Sequence, residues 1–281
     1  MPSLQRKYVD LIHQTSSKWA NWDPPIPVEV GAYGTIHPGT GELIVEGNIY
    51  DPEFQEELDK VNGKFKIADH PPSEGGIEGD YIIASAGARS INFSLEPQVG
   101  FAGIASASLK GQWQFQKRQR DALLVMYKPR QKYIPSKVIL DHLYKVPKLQ
   151  GKCLVTSVHV CPAFSMYLSN KSGEKISLAL AAQAPVAAAA AVTAGGDVGF
   201  DWWADTQATL LRKACDKNGT YRYTPLYALK RPIPFHKRLF RDKTSPVPDD
   251  DEYWCDVLHP WQPLDEDGKE DQINEVSILV Q

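Results

Sequence analysis

No GxxxxGK[ST] loop, GxGxxG fingerprint, GxSxG elbow or HExxH pair occurs anywhere in these 281 residues. Each absence removes a chemistry: phosphate cradling, dinucleotide binding, a strained serine nucleophile and a zinc-activated water. The seven histidines are scattered without ligand-like spacing, and the acidic run at 249–251 lacks the spaced oxygens and glycine turn of a calcium loop. Cysteine is scarce: Cys153, Cys161, Cys215 and Cys255 stand far apart with no C-x-x-C pair. That pattern suits free thiols in a reducing compartment better than a disulfide framework or a zinc site. His159 lies near Cys153 and Cys161 in sequence, but a Cys and a His on one strand read as core residues. The N-terminal MPSLQRKYVDLIHQ has no apolar run, so no secretory leader is expected there. No helix-turn-helix, zinc-finger or RNA-recognition signature accompanies the basic residues. The expectation is therefore no enzyme, no cofactor, no metal and no nucleic-acid partner.

Charge is unevenly placed. Residues 1–244 carry 30 basic and 23 acidic side chains (+7), and residues 245–281 carry 1 and 11 (−10), which together give the −3 of the whole chain. Two readings stand: a solvated acidic tail, or a segment that masks a basic body. With 42% hydrophobic and 23% charged residues the composition is that of a water-soluble globular protein.

Leu4, Tyr8, Leu11 and Ile12 form an apolar helical stripe beside Arg6 and Lys7. Val28, Val30, Leu43 and Val45 alternate about the turn HPGTGE, which predicts a hairpin. Asp51 and Pro52 open a short helix, and the Pro/Gly-rich stretch 70–79 reads as a loop. Further on come a basic stretch (KRQRDALLVMYKPRQK), a helix-like IPSKVILDHLYKV, a strand-like CLVTSVHV and a second basic stretch from 210 to 243. A proline-punctuated linker (TSPVPDDDE) leads into the acidic end.

Two long segments alternate. Over 91–115 one face carries Ile91, Phe93, Leu95, Val99, Phe101, Leu109, Trp113 and Phe115, while the other is mostly polar, Ile104 being the clear misfit. From 176 the even positions are Ile176, Leu178, Leu180, Val186, Val192, Val198, Phe200 and Trp202, interleaved with alanines and glycine. Residues 176–196 hold no charged side chain; as one helix they would span ~31 Å, but Gln183, Pro185 and the pair Gly195-Gly196 oppose it. As strands, each segment divides into two runs of ~11–12 residues, the length of a tilted membrane strand. Aromatic residues at the segment ends suit a membrane–water interface. An amphipathic sheet packed on a soluble core explains the same alternation, and the alanine-rich part also fits a buried helix.

The stretches VEVGAYGTIHPGTGELIVEGNIYD, YRYTPLYALKR, HKRLFRD and YWCDVLHPWQPLDEDGKE resemble landmarks of the fungal gasdermin-like proteins. That resemblance implies an α+β fold, a twisted and mostly antiparallel sheet with flanking helices, and two amphipathic segments, about 80–116 and 162–206, convertible to membrane hairpins. It implies a pore-forming domain over 1–240 and a short inhibitory tail over 241–281, far smaller than the inhibitory domain of animal gasdermins. The function implied is regulated cell death. A cytoplasmic precursor, once released, binds anionic phospholipids of the inner leaflet of the plasma membrane, self-assembles and opens a β-barrel pore. Lipid contacts fall to Arg6, Lys7, Lys117, Arg118, Arg120, Arg212, Lys213, Lys230 and Arg231, and insertion to the two alternating faces. Release is expected from a protease cutting between 235 and 250, with Phe240 the candidate P1 residue, or from an allelic relative. Two other readings stay open: a soluble lipid- or partner-binding module that never inserts, and an enzyme on an unfamiliar fold.

Overall fold

The computed structural model describes residues 2–94, 109–180, 204–206, 209–216, 218–233 and 253–271. The chain is α+β, with three short helices and sixteen strands among the described residues. In order these are α1 (Pro2–Ser16), β1 (Trp19–Ala20), β2 (Ala32–Ile36), β3 (Leu43–Asn48), α2 (Pro52–Asn62), β4 (Ser73–Ile77), β5 (Tyr81–Ala84) and β6 (Arg89–Ser94). There follow β7 (Leu109–Gln114), β8 (Ala122–Tyr127), β9 (Arg130–Tyr133), α3 (Lys137–Leu143), β10 (Cys153–Cys161), β11 (Ala163–Leu168) and β12 (Lys175–Leu180). The last are β13 (Ala204–Thr206), β14 (Thr209–Cys215), β15 (Tyr223–Pro232) and β16 (Trp254–Asp256).

The strands form three antiparallel sheets. The first has the order β1-β15-β10-β2-β3, with β16 on β15, β9 on β10 and β4 on β9. The second runs β13-β14-β11-β8-β5 and the third β12-β7-β6. Consecutive strands tie them together. β4 leads into β5, β9 follows β8, β11 follows β10 and β15 follows β14, so one set of four neighbours passes from the first sheet into the second. Pro129 and Pro162 stand at two of these crossings, where a missing N–H ends a ladder without orphaning a donor. The third sheet repeats the arrangement: β6 continues β5, β7 feeds β8, and β12 continues β11.

Burial explains the sequence of each strand. Along β8 and β11, Leu124, Met126, Phe164 and Met166 join the main core with Tyr8 and Ile12 of α1, while Leu123, Val125 and Tyr167 join another cluster on the opposite face. A strand covered on both faces reads as a continuous apolar run. That is why ALLVMY, set among lysines and arginines, is core and not part of a basic surface. A second core gathers Tyr33, Phe54 and Leu58 with Leu140, Leu143 and Trp254.

The α1 stripe, the 32–48 hairpin, α2, α3 and β10 match the sequence-based expectations. One expectation, the 70–79 loop, is corrected, and the basic stretches and the acidic end gain structure that the sequence left open. The 70–79 stretch contains β4, held by backbone pairing with β9, a bond pattern that Gly75 and Gly76 do not prevent. Both basic stretches contain strands, because their charges flank apolar runs. Acidic residues 253–271 are not a solvated tail: Trp254, Val257, Trp261 and Leu264 are buried in the two main cores.

The alternating segments are described at their ends only. β6 and β7 pair antiparallel (Phe93 with Gly111, Ser94 with Lys110), and β7 also pairs β12 (Trp113 with Ile176, Leu109 with Leu180). The two segments are thus neighbours in one sheet. Ile91 falls in a register shift between Ser90 and Asn92 and is 43% exposed, because an inserted residue leaves the alternation. Trp113 and Phe115 are buried against Leu123, Val125 and Tyr167, so the third sheet folds back over the second, and neither ring lies at a surface. The expected inserting residues Leu95, Val99, Phe101, Val186, Val192, Val198 and Phe200, the candidate P1 residue Phe240 and the whole 235–250 window lie outside the described residues.

Candidate functional site

Segment 253–271 is held at two places. At its start, β16 pairs β15, Trp254 fills the second core, and its indole Nε1 donates to the Leu140 carbonyl (2.9 Å). Tyr253 stacks on Tyr144 at 4.0 Å. Farther along, the segment lies against α1. His259 Nδ1 is 2.7 Å from Asp10 Oδ1, and His259 stacks on Trp261 at 4.7 Å. Trp261 meets Trp19 edge-on at 6.1 Å and carries the Arg6 guanidinium over its ring at 5.1 Å.

A turn then presents the carboxylates. Asp265 accepts the backbone N–H groups of Asp267 (2.8 Å) and Lys269 (2.9 Å), and these bonds hold its carboxyl below the usual range. Gly268 has φ +77°, and a Cβ there would stand 1.8 Å from the Ser3 carbonyl. Only glycine allows the turn to come this close to α1. The turn places Glu270 Oε1 2.8 Å from Arg6 Nη2, and Glu266 Oε1 3.8 Å from Lys7 Nζ, which also donates to the Leu264 carbonyl at 3.3 Å. Glu266 further accepts the Arg120 backbone N–H through Oε2 and Arg120 Nε (2.8 Å) through its carbonyl. Asp267 Oδ1 is 2.8 Å from Lys171 Nζ and 3.8 Å from Arg120 Nη2. Lys171, with Arg120 behind it, holds the Asp267 carboxyl below its ordinary value.

Those contacts fall on a junction. Residues 85–88, 115–121 and 169–174 are the three loops through which the second sheet passes into the third. Asp121, 2% exposed, binds all three: it accepts from Ser85 Oγ (2.9 Å), Gly87 N (3.1 Å) and Gln116 N (3.3 Å), and its own N–H donates to Ser169 Oγ (2.8 Å). Arg120 Nη1 adds a bond to the Ser169 carbonyl (3.0 Å). The acidic turn therefore grips both α1 and the loops at which the third sheet folds back.

Of the basic residues singled out in the sequence, Arg6, Lys7 and Arg120 meet at this turn, and Lys230 pairs Asp256 at 3.6 Å. Lys117 bridges Ser172 in the same loops, and Arg118 (φ 69°) donates its N–H to the Lys171 carbonyl. Arg212 is corrected as a surface contact. It is 7% exposed, 3.4 Å from Asp23, with its guanidinium over Trp22, because β14 turns that position inward. Lys213 points the other way on β14, opposite Ser165, and Arg231 is exposed beside Cys255 on β15. Sequence reading missed Lys171, Glu266, Asp267 and Glu270 as partners. The 3- and 4-residue spacing of Trp254, Val257, Trp261 and Leu264 among the acids was the available signal. His159 is a core residue stacked on Tyr81, lowered to about 4 by burial and then by Lys18, and no disulfide joins the four cysteines. Among the described residues no group of His, Cys, Asp and Glu could hold a metal, and no helix is long and apolar enough to cross a membrane. Comparison of the chain with family models, curated proteins and solved structures returned no match.

Proposed function

We propose that this chain is a pore-forming effector of regulated cell death, gasdermin-like in fold and held inactive by its own acidic C-terminal segment. The observation that carries the reading is the acidic turn, whose Glu266, Asp267 and Glu270 occupy Arg6, Lys7, Arg120 and Lys171. Once the turn leaves, those cations face outward together, and each basic side chain near an anionic leaflet contributes roughly 1 kcal/mol of attraction. The same departure loosens the junction loops. The third sheet then swings out so that its strands extend β5, β8 and β11. Extended strands from many copies close into a barrel, the one β-architecture that leaves no unpaired backbone in lipid. The intact chain is proposed to stay cytoplasmic, with the plasma membrane, anionic phospholipids and further copies of itself as its targets. Release is proposed to come from a protease acting within 235–250, Phe240 included, or from an allelic relative.

The burial of Trp113 and Phe115 favours a second reading, a soluble lipid- or partner-binding module whose third sheet never opens. One variant separates the two. Val186→Asp/Ala188→Asp/Ala190→Asp places three carboxylates on the even-numbered face, at roughly 1–2 kcal/mol each in lipid. The pore reading expects dye release from anionic vesicles to fall to background while vesicle binding and the thermal melt persist. Release at the unsubstituted level would exclude that face from the membrane.

A further inference from the structure

The contact between α1 and the acidic segment contains two imidazoles and one carboxylate. His13 and His259 have ring centroids 4.3 Å apart, and Trp19 closes on both, 5.3 Å from His13 and 5.0 Å from His259. Asp10, 5% exposed, reaches His259 through Oδ1, and its Oδ2 accepts from Gln14 (2.9 Å). His259 Nε2 has no hydrogen-bond partner among the described residues. We infer that this pair is an acid-sensitive latch: one carboxylate neutralises one imidazolium, and a second proton drives the acidic segment off α1. The inference rests on docking alone and adds a trigger that the pore reading does not contain.

Among the described residues the surroundings supply no second counter-charge in contact. β1 contributes Trp19, and the turn between β2 and β3 contributes Gly41, against Trp261. From the segment itself comes Asp256, which Lys230 of β15 already pairs at 3.6 Å. Arg6 lies across Trp261 and adds positive charge. Burial first, then the neighbouring His259, lower His13 from 6.5 to about 4, against the opposing pull of Asp10, the Val257 backbone and Asp256. Docked His13 therefore stays neutral where released His13 would take up a proton. Docking is complete above 6.5 and weakens as pH falls through the window between 6.5 and 4, by at most tenfold per unit. From pH 7 to pH 5 the loss is up to about twenty-fold.

Hydrogen–deuterium exchange of the full chain between pH 7 and pH 5, corrected for intrinsic rates, reads the latch directly. Protection of 257–271 should fall by up to about twenty-fold while β10 and β15 peptides hold theirs. His13→Gln keeps a donor for the Val257 carbonyl and cannot titrate; His13→Phe keeps the ring. Either variant should flatten the dependence. Three results would each overturn the latch: no pH effect on 257–271, an equal loss in β10 and β15, or an undiminished effect in both His13 variants, which would assign it to the carboxylates.

Discussion

Glu266→Lys/Asp267→Lys in the full chain is expected to undock residues 257–271 and to give dye release from anionic vesicles without any cut. The substitution removes the ion pair between Glu266 and Lys7, the bond the Glu266 carboxylate accepts from the Arg120 backbone N–H and the pair between Asp267 and Lys171, and sets two further cations against those already there. Charge-assisted contacts to groups as enclosed as the Lys7 ammonium and the Arg120 backbone N–H contribute more than exposed pairs, and like charges in contact add a penalty. The combined loss is at least about 2 kcal/mol, a factor of roughly thirty in docking. Gly268→Ala reaches the same state by sterics, since its Cβ meets the Ser3 carbonyl and its φ of +77° strains any other residue. Exchange in 257–271 checks the undocking, and vesicle leakage checks its consequence. A charge-reversed protein whose segment stays protected would remove electrostatics from the account.

Trp254→Ala should act differently, lowering global stability by about 3–5 kcal/mol in a denaturant melt, the usual range for deleting a large buried aromatic ring. Trp254 is fully buried among Tyr33, Phe54, Leu58 and Leu140, and its Nε1 bond to Leu140 closes the contact. The acidic segment thus has two anchors with separate duties. The Trp254 end completes a core, and the 257–271 end covers cations. Trp254→Phe, which keeps most of the apolar surface, should recover much of the loss. An unchanged midpoint for the alanine variant would mean that the first anchor is as detachable as the second.

The limits of sequence reading follow from the range over which each signal acts. The stripe on α1, the hairpin turn HPGTGE and the Ser136 cap of α3, which accepts from Val138 N, are local and can be read residue by residue. β8 was hidden because its charges lie at its ends, and charge counting averages them over its apolar middle. β4 was hidden because backbone pairing with β9 holds it, and side chains give no sign of that. The pairing of β7 with β12 joins residues more than sixty positions apart, which no periodicity encodes. At the candidate site, the imbalance between a basic body and an acidic end was legible as a sum. Which cation meets which carboxylate was not, because it depends on where Trp254 and Trp261 seat the segment. Asp121 was visible only as the lone acid of a basic run, and its role comes from three loops that meet in space.

The most direct measurement is dye release from anionic and neutral vesicles by the full chain carrying an inserted protease site between 240 and 250, before and after cutting. Cutting follows folding, so the core that Trp254 completes forms normally. The account expects no release from the intact chain and release after the cut, from anionic vesicles only. A cut chain whose acidic segment has dissociated and which still releases nothing would contradict it.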